Sequence, residues 1–89
     1  MKNRFEETYF SRQHRYSMGK DHKEGGCYLA IPVSNGVVDY DEQYGLTLGE
    51  YERYLGDEEA ALRFVRECRR REHDNLLIYP PGTSRGTPV

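Results

Sequence analysis

Apolar and polar residues alternate in two runs on either side of the dipeptide Asn35-Gly36. Such alternation places successive side chains on opposite faces of a β-strand, and Asn-Gly tolerates the positive φ angles of a type I′ turn. The pattern predicts a β-hairpin over residues 27–44 with a two-residue turn. In that register one face is almost wholly apolar, and it contains Cys27, Leu29, Ile31, Val33, Val38, Tyr40, Glu42 and Tyr44.

The opposite face of the predicted hairpin carries two carboxylates, Asp39 and Asp41, which we expect to lie in solvent. Pro32 conflicts with this register, because it would stand opposite Asp39 in a hydrogen-bonded pair and has no N–H to donate. We therefore expect a bulge or a frayed hairpin tip near Pro32.

The segment after the hairpin predicts two short helices. Thr47 and Glu50 have the spacing of a capping box, and Gly56 could end the first helix in the left-handed conformation. Asp57 is the predicted N-cap of the second helix. The first helix would present Leu48, Tyr51 and Leu55 on one side, and the second would present an apolar stripe of Ala61, Phe64, Val65 and Cys68.

The remaining segments complete a predicted α+β domain. Residues 76–79 are apolar and are followed by Pro80-Pro81-Gly82, which predicts a buried strand beside the hairpin. Alternation over residues 12–18 predicts a further strand, with a loop over residues 19–26. We expect a three- to four-stranded, mainly antiparallel sheet with one face packed by one or two helices.

One domain is predicted over residues 1–79, within which residues 1–26 form an N-terminal segment whose structure the pattern leaves open. Residues 80–89 are rich in Pro, Gly, Thr and Ser, so we expect a flexible C-terminal tail. A chain of 89 residues with a net charge of −2 allows a single hydrophobic core.

Length and composition also bear on the cellular compartment in which the protein is expected. No apolar stretch approaches the roughly 20 residues needed to span a bilayer, and the first residues do not resemble a signal peptide. We therefore expect a cytoplasmic protein without membrane contact. In that compartment Cys27 and Cys68 are expected to be buried thiols rather than a disulfide.

The sequence predicts no catalytic, cofactor or metal site. Two Cys/His pairs, each five residues apart, could be drawn as a zinc site, but structural zinc sites use closer ligand spacing. Asp39 and Asp41 could act as an acid and a base only within a pocket, which an exposed hairpin face seldom forms. No Ser, Cys or His lies in a nucleophile motif, and no phosphate-binding loop is recognisable. We expect the chain not to be an enzyme.

The charge is strongly segmented along the chain. Residues 39–59 contain eight carboxylates and four tyrosines against one arginine and carry −7, whereas residues 1–38 carry +2 and residues 60–89 carry +3. Carboxylates steer a basic partner, and tyrosines supply contact area at low entropic cost. The predicted partner contacts are Asp39, Asp41, Tyr44, Glu50, Tyr54, Asp57 and Glu58.

Immunity proteins, which cap the basic active sites of toxic nucleases, are similar to this chain in size and in their surface of Asp, Glu and Tyr. The resemblance is compositional and implies a stoichiometric inhibitor or antitoxin-like partner of a basic protein. The alternative interpretation is that the acidic residues form an ordinary solvated surface.

Nucleic-acid binding is a second hypothesis. Arg63, Arg66 and Arg70 of the second predicted helix could follow a phosphate backbone. A pI near 5.9 argues against it, because nucleic-acid-binding domains are usually basic. A homodimer is a further alternative, since an exposed strand edge or an acidic patch facing a basic helix could associate symmetrically.

Overall fold

Four antiparallel strands lie in the sheet in chain order. They are β1 (Phe5–Ser11), β2 (Tyr16–Asp21), β3 (Cys27–Ser34) and β4 (Asp39–Leu46). Two helices follow, α1 (Leu48–Gly56) and α2 (Glu58–Arg69), then a 3-10 turn (Asp74–Leu76) and β5 (Thr87–Pro88), which pairs with β3. The computed structural model describes residues 4–82 and 85–89. The predicted α+β class is confirmed.

The core lies between the helices and one face of the sheet. The apolar stripe predicted for α2 is buried in full. The first helix adds Tyr51 at 6% exposed, whereas Leu48 and Leu55 are 56% and 45% exposed, so α1 packs through a narrower stripe than expected. The buried core consists of Tyr16, Met18, Cys27, Leu29, Ile31, Val33, Tyr44, Leu46, Tyr51, Ala61, Phe64, Val65 and Cys68.

The junction between the helices agrees with the sequence only in part. The capping box forms, since the Glu50 N–H donates to Thr47 Oγ1 at 3.1 Å and the Thr47 N–H donates to Glu50 Oε1 at 2.8 Å. The prediction of a left-handed cap at Gly56 is wrong. The chain passes from Gly56 directly into Asp57, whose φ is −139°. Asp57 Oδ1 accepts from the Ala60 N–H at 3.2 Å, which makes it the N-cap of α2 as predicted.

The hairpin of β3 and β4 forms, with its turn one residue later than predicted. The Asn35 N–H donates to the Val38 carbonyl at 3.2 Å, which makes Gly36 and Val37 the central residues. Asn35 Oδ1 accepts from the N–H groups of Val37 and Val38 at 2.9 and 2.8 Å. Gly36 has a φ of +88°, a conformation that side-chain-bearing residues rarely adopt. The strands consequently pair two residues further along, from Cys27 with Leu46 to Ser34 with Asp39.

This displacement removes the conflict at Pro32. A shift of two residues keeps every side chain on its predicted face, so Asp39 and Asp41 still point away from the core. Pro32 pairs with Asp41, and its carbonyl accepts from the Val89 N–H at 3.2 Å on the other side of β3. The nitrogen and carbonyl of a strand residue point the same way, so the Pro32 nitrogen also faces away from β4. The register runs without the expected bulge.

Two strands replace the one predicted over residues 12–18. Residues 12–15 form a turn, and β2 extends through Gly19, a residue expected in a loop. A bulge in β1 between Glu7 and Tyr9 interrupts the side-chain alternation. Since strands were recognised by alternation, the bulge hides β1 from the sequence pattern.

Residues 76–79 lie along the free edge of β4 without forming the predicted strand. The Leu77 N–H completes the 3-10 turn by donating to the Asp74 carbonyl at 3.1 Å. Leu77 makes an isolated bridge to β4, and the Ile78 N–H donates to the Gln43 carbonyl at 2.9 Å. Residues 76–79 therefore lie beside the hairpin as predicted. The 3-10 turn uses part of their backbone hydrogen-bonding groups, and too few remain to pair with β4 as a strand.

Arg85 fixes the C-terminal segment to the sheet. Its guanidinium donates to both carboxylate oxygens of Glu42 at 2.8 and 3.2 Å, and to both of Asp74 at 2.7 and 2.9 Å. Glu42 is 7% exposed, so Arg85 neutralises a buried charge. Residues 85–89 thus have defined contacts where a flexible tail was expected, and the Gly86 N–H donates to the Tyr40 hydroxyl at 2.7 Å.

Replacing Gly19 by Ala should destabilise the sheet. A Cβ at this position would lie 2.0 Å from the carbonyl oxygen of Glu6, a backbone atom that cannot rotate away. We expect G19A to lower the free energy of unfolding by about 3 kcal/mol or more. Gly49 in α1 is the control, because a Cβ there meets nothing closer than 4.0 Å, and G49A should gain about 0.5 kcal/mol. Urea unfolding followed by circular dichroism measures both, and equal effects would contradict the close approach.

Replacing Arg85 by Ala should leave Glu42 buried without a counter-charge. We expect a loss of roughly 3 kcal/mol, the lower end for a broken buried pair, because the other partner, Asp74, is 39% exposed. The double variant E42L/R85M should recover most of that loss, since it leaves no buried charge at residue 42.

The stabilisation by Arg85 should also depend on pH. Hydrogen bonds from Arg85 hold the pKa of Asp74 below its usual range. A depressed pKa stabilises the fold above the unfolded-state pKa, and the stabilisation is lost as the pH falls through the folded-state pKa. Chemical unfolding at several pH values measures this, and an R85A loss of only about 0.5 kcal/mol at neutral pH would identify an ordinary surface pair.

Candidate functional site

The face of the sheet opposite the helices, here the outer face, is only partly covered. At one end the Phe5 ring lies 4.9 Å from that of Tyr28 and 5.9 Å from that of Tyr79. Arg4 lies over the Phe5 and Tyr79 rings at 5.1 and 5.0 Å, and donates to the Asp21 carboxylate at 2.9 and 3.0 Å. This aromatic cluster leaves the other end of the outer face open.

The open end forms a groove of about 280 Å³, here the outer groove. Two small buried residues of the central strands, Ser17 and Ala30, pair with each other in its floor. Phe10 on β1 pairs with Ser17 and is 59% exposed. Pro32 and Asp41, a pair on β3 and β4, also line the groove. The groove thus brings a large exposed aromatic ring and a carboxylate to one open surface.

Charge is unevenly placed around the outer groove. Glu7 and Asp41 line it together with Arg12 and Arg15, the first and last residues of the turn between β1 and β2. Asp39 is exposed on the same face of β4 as Asp41, two residues away. The β4 side of the outer face is therefore acidic, and the side next to the β1–β2 turn is basic.

Asp41 differs from the carboxylates that hold the fold together. Asp21, Glu42 and Asp74 are each paired with an arginine. For the Asp41 side chain the structure shows no ion pair or hydrogen bond within residues 4–82 and 85–89. The side chain is exposed at the surface, but neighbouring protein atoms displace enough water to raise the pKa of its carboxyl. This desolvation disfavours the charged form of Asp41.

The predicted contact residues are divided between the two layers of the molecule. Asp39 and Asp41 are exposed on the outer face, as expected. Four others lie in the helical layer, where two of them cap helices: Glu50, Tyr54, Asp57 and Glu58. The −7 segment does not form one continuous acidic surface.

Tyr44 cannot contact a partner, so its inclusion among the predicted contacts is wrong. Its side chain is 0% exposed, and its hydroxyl lies 3.2 Å from Glu42 Oε1 and 3.3 Å from the Cys68 carbonyl oxygen. The strand alternation had already placed Tyr44 on the inner face of the hairpin.

The arginines of α2 assigned to nucleic-acid binding are on the surface. Arg63, Arg66 and Arg70 are exposed. Arg70 donates to Glu72 at 2.6 Å, whereas Arg63 and Arg66 show no hydrogen bond or ion pair to any described residue. This part of the alternative hypothesis stays a prediction.

Two residues of the outer groove, Phe10 and Glu7, were not indicated by the sequence pattern. Both lie on β1, where the bulge interrupts the alternation. A weaker signal was present, because three aromatic residues within residues 5–11 are typical of a strand.

The cysteines and histidines do not combine into a site. Cys27 and Cys68 are buried free thiols as predicted, and burial raises the pKa of the Cys68 thiol. His22 and His73 each lie 2.7 Å from a glutamate oxygen. Over the described ranges, no three His, Cys, Asp or Glu side chains are placed to hold a metal ion.

Comparisons with known proteins identify no family. No family model matches the chain, and neither curated proteins nor solved structures give a match. No helix in the described part of the chain is long and apolar enough to cross a membrane. The function must therefore be inferred from the chain's own geometry.

Replacing Asp41 by Asn should stabilise the fold at neutral pH. Because the carboxyl pKa is raised on folding, ionisation favours the unfolded chain, and the charge lowers stability above the folded-state pKa. At about pH 3 the carboxyl is largely protonated in both states, so D41N should approach the wild-type stability there. D39N, on the same strand face, is the control and should change little. Chemical unfolding at both pH values tests this, and a loss of stability in D41N at neutral pH would show that the carboxylate has a partner.

Proposed function

We propose that this chain is a cytoplasmic protein-binding module that acts as a stoichiometric, immunity- or antitoxin-like inhibitor of a basic protein, without enzymatic activity. The observation that carries the proposal is the unpaired Asp41 beside the exposed Phe10 in the outer groove. The contact surface assigned to the partner is this groove together with Asp39.

The outer groove has the composition of a protein contact. Aromatic side chains with exposed rings are frequent energetic centres of interfaces, and Phe10 has 59% of its surface available. Its neighbours in the floor, Ser17 and Ala30, are small, so a partner side chain can lie against the ring. A partner that covers Phe10 would also exclude water from Asp41, which strengthens an ion pair at that carboxylate.

The acidic side of the outer face favours a basic partner. Asp39 and Asp41 lie two residues apart on β4, so one Lys or Arg of a partner can reach both carboxylates. Binding a cation beside Asp41 would also offset the desolvation that raises its pKa. Arg12 and Arg15 at the other end of the groove would orient the partner, because they repel its basic groups.

The helical members of the predicted contact set are not part of this surface. They lie on the far side of the sheet from Asp39 and Asp41, and a flat interface cannot include both layers. Glu50 and Asp57 already accept hydrogen bonds as helix caps. The proposal therefore retains Asp39 and Asp41 and adds Phe10.

A second candidate function is nucleic-acid binding through α2. It is favoured by the exposure of Arg63 and Arg66 without partners among the described residues. Glu59 and Glu67 lie among these arginines in the same groove, which weakens a phosphate-binding surface.

Charge reversal on β4 tests the protein-binding proposal. The tagged chain and its D39K/D41K variant are used to capture proteins from a nuclease-treated native lysate, with mass spectrometry as the readout. The control variant E52K/E59K changes the net charge equally at two exposed helical residues. We expect a basic protein that is captured by wild type and control and lost with D39K/D41K. Calorimetry with that purified protein should give a one-to-one complex whose affinity falls with salt.

Other outcomes would overturn the proposal. Equal capture by D39K/D41K and wild type would exclude the β4 carboxylates as the contact. Equal loss in both charge variants would show an effect of net charge alone. Binding of nucleic acid that is lost in an R63E/R66E variant would favour the arginines of α2, and self-association lost in D39K/D41K would assign the surface to a homodimer.

A further inference from the structure

A larger groove lies between the β1–β2 turn, α2 and the C-terminal segment. Its volume is about 560 Å³, within the roughly 300–1,000 Å³ typical of small-molecule sites. Arg15 from the turn lines it together with Arg66 and Arg69 from α2, and Leu62 contributes apolar surface. We refer to it as the arginine groove.

The arginine groove has no Asp or Glu among its lining residues. Three other grooves in the described part of the chain each include at least two. These carboxylates are Glu7 and Asp41 in the outer groove, Asp57, Glu59 and Glu67 between the helices, and Asp41 and Glu42 beside residues 79–82. No acidic side chain that lines the arginine groove therefore balances the charge of its arginines.

The fold holds the Arg69 guanidinium against the turn that carries Arg15. Arg69 Nη2 donates to the carbonyls of His14 and Arg15 at 2.8 and 3.2 Å, which fixes it against the turn. Burial lowers the pKa of Arg69, and the positive charge of Arg15 lowers it further. An anion between them would relieve this repulsion.

Many hydrogen-bond donors of the arginine groove are still available. Arg66 donates to no described residue. Arg15 donates through Nε to a main-chain oxygen of Val89 at 3.2 Å, and Arg69 donates only through Nη2. Each guanidinium has five N–H groups in a planar fork that matches the oxygens of a phosphate.

The apolar surface in the groove indicates that the ligand carries more than an anionic group. Leu62 is half-buried, and Pro88 of β5 also lines the groove. Inorganic phosphate would leave these side chains in water, whereas an attached ring would cover them. Arginine side chains also stack on planar rings.

We infer that the arginine groove binds an organic phosphate monoester with an apolar or planar body, of the size of a mononucleotide. The phosphate lies among Arg15, Arg66 and Arg69, and the body lies against Leu62 and Pro88. This site is separate from the proposed protein contact, with which it shares Arg15 alone. Arg66 is therefore the diagnostic residue.

The full chain can be titrated with three probes, namely adenosine 5′-monophosphate, inorganic phosphate and adenosine. Calorimetry gives the affinities, and amide chemical shifts in NMR spectra locate the site. We expect saturable binding of the monophosphate, with shifts in the β1–β2 turn and in α2, weaker binding of phosphate at the same place, and none of adenosine. R66Q should weaken binding of the monophosphate about tenfold, because it removes one charge-assisted contact.

Arg63 supplies a matched control. It lies on the same helix and is exposed. Both arginines line the groove between the helices, but only Arg66 also lines the arginine groove. R63Q removes the same charge and should leave the affinity within about twofold, because salt screens the more distant charge. Circular dichroism confirms that R63Q and R66Q are folded.

Three results would overturn the inference. One is the absence of saturable binding by both the monophosphate and inorganic phosphate. Another is equal weakening in R63Q and R66Q, which would show non-specific attraction to α2. The third is adenosine binding as tightly as the monophosphate, which would mean that the arginines do not recognise the phosphate.

Discussion

The turn at residues 35–38 sets the register of β3 and β4, and this register decides the environment of each carboxylate on β4. Asp41 and Glu42 are neighbours in the chain and point to opposite faces. Glu42 is buried, with Arg85 at 2.8 Å, whereas Asp41 lines the outer groove without a basic partner. A slip of one residue would exchange their positions, bury an unpaired carboxylate and release the C-terminal segment. The turn at residues 35–38 thus places Glu42 in an ion pair inside the fold and leaves Asp41 in a surface groove, where it is available for binding.

The size of the chain explains why the outer face stays open. A domain of this length buries only about 60–65% of the surface of its extended chain. Its helices, of 9 and 12 residues, both pack on the inner face, where they complete the core. Among the described residues, the aromatic cluster covers one end of the outer face, and Phe10 stays exposed above a floor of small residues at the other end. The strands and helices that form the core therefore also leave this surface open, and a binding surface there needs no further element of the fold.

The helices and the β3–β4 hairpin could be predicted from patterns among residues that lie close together in the sequence. The capping box, the apolar stripe of α2 and the outward position of Asp39 and Asp41 follow from local spacing. The β1 strand was missed because its bulge breaks the alternation, and the pairing of Arg85 with Glu42 was missed because 43 residues separate them. For the candidate site, alternation predicts exposure, but only the placement of α1 and α2 shows that the acidic residues lie in two layers.

Two grooves in the described part of the chain contain charged side chains without an ion-pair partner, and these charges have opposite sign. Asp41 lies in the outer groove without a basic partner, and Arg15 lies close to Arg69 in a groove that no Asp or Glu lines. Elsewhere the buried carboxylates Asp21 and Glu42 are neutralised by arginines, so the chain is able to pair charges where stability requires it. Charged side chains without an ion-pair partner in a surface groove are common at binding sites. By linkage, a cation at one groove and an anion at the other would each stabilise the folded chain, and the two effects would add unless the shared Arg15 couples them.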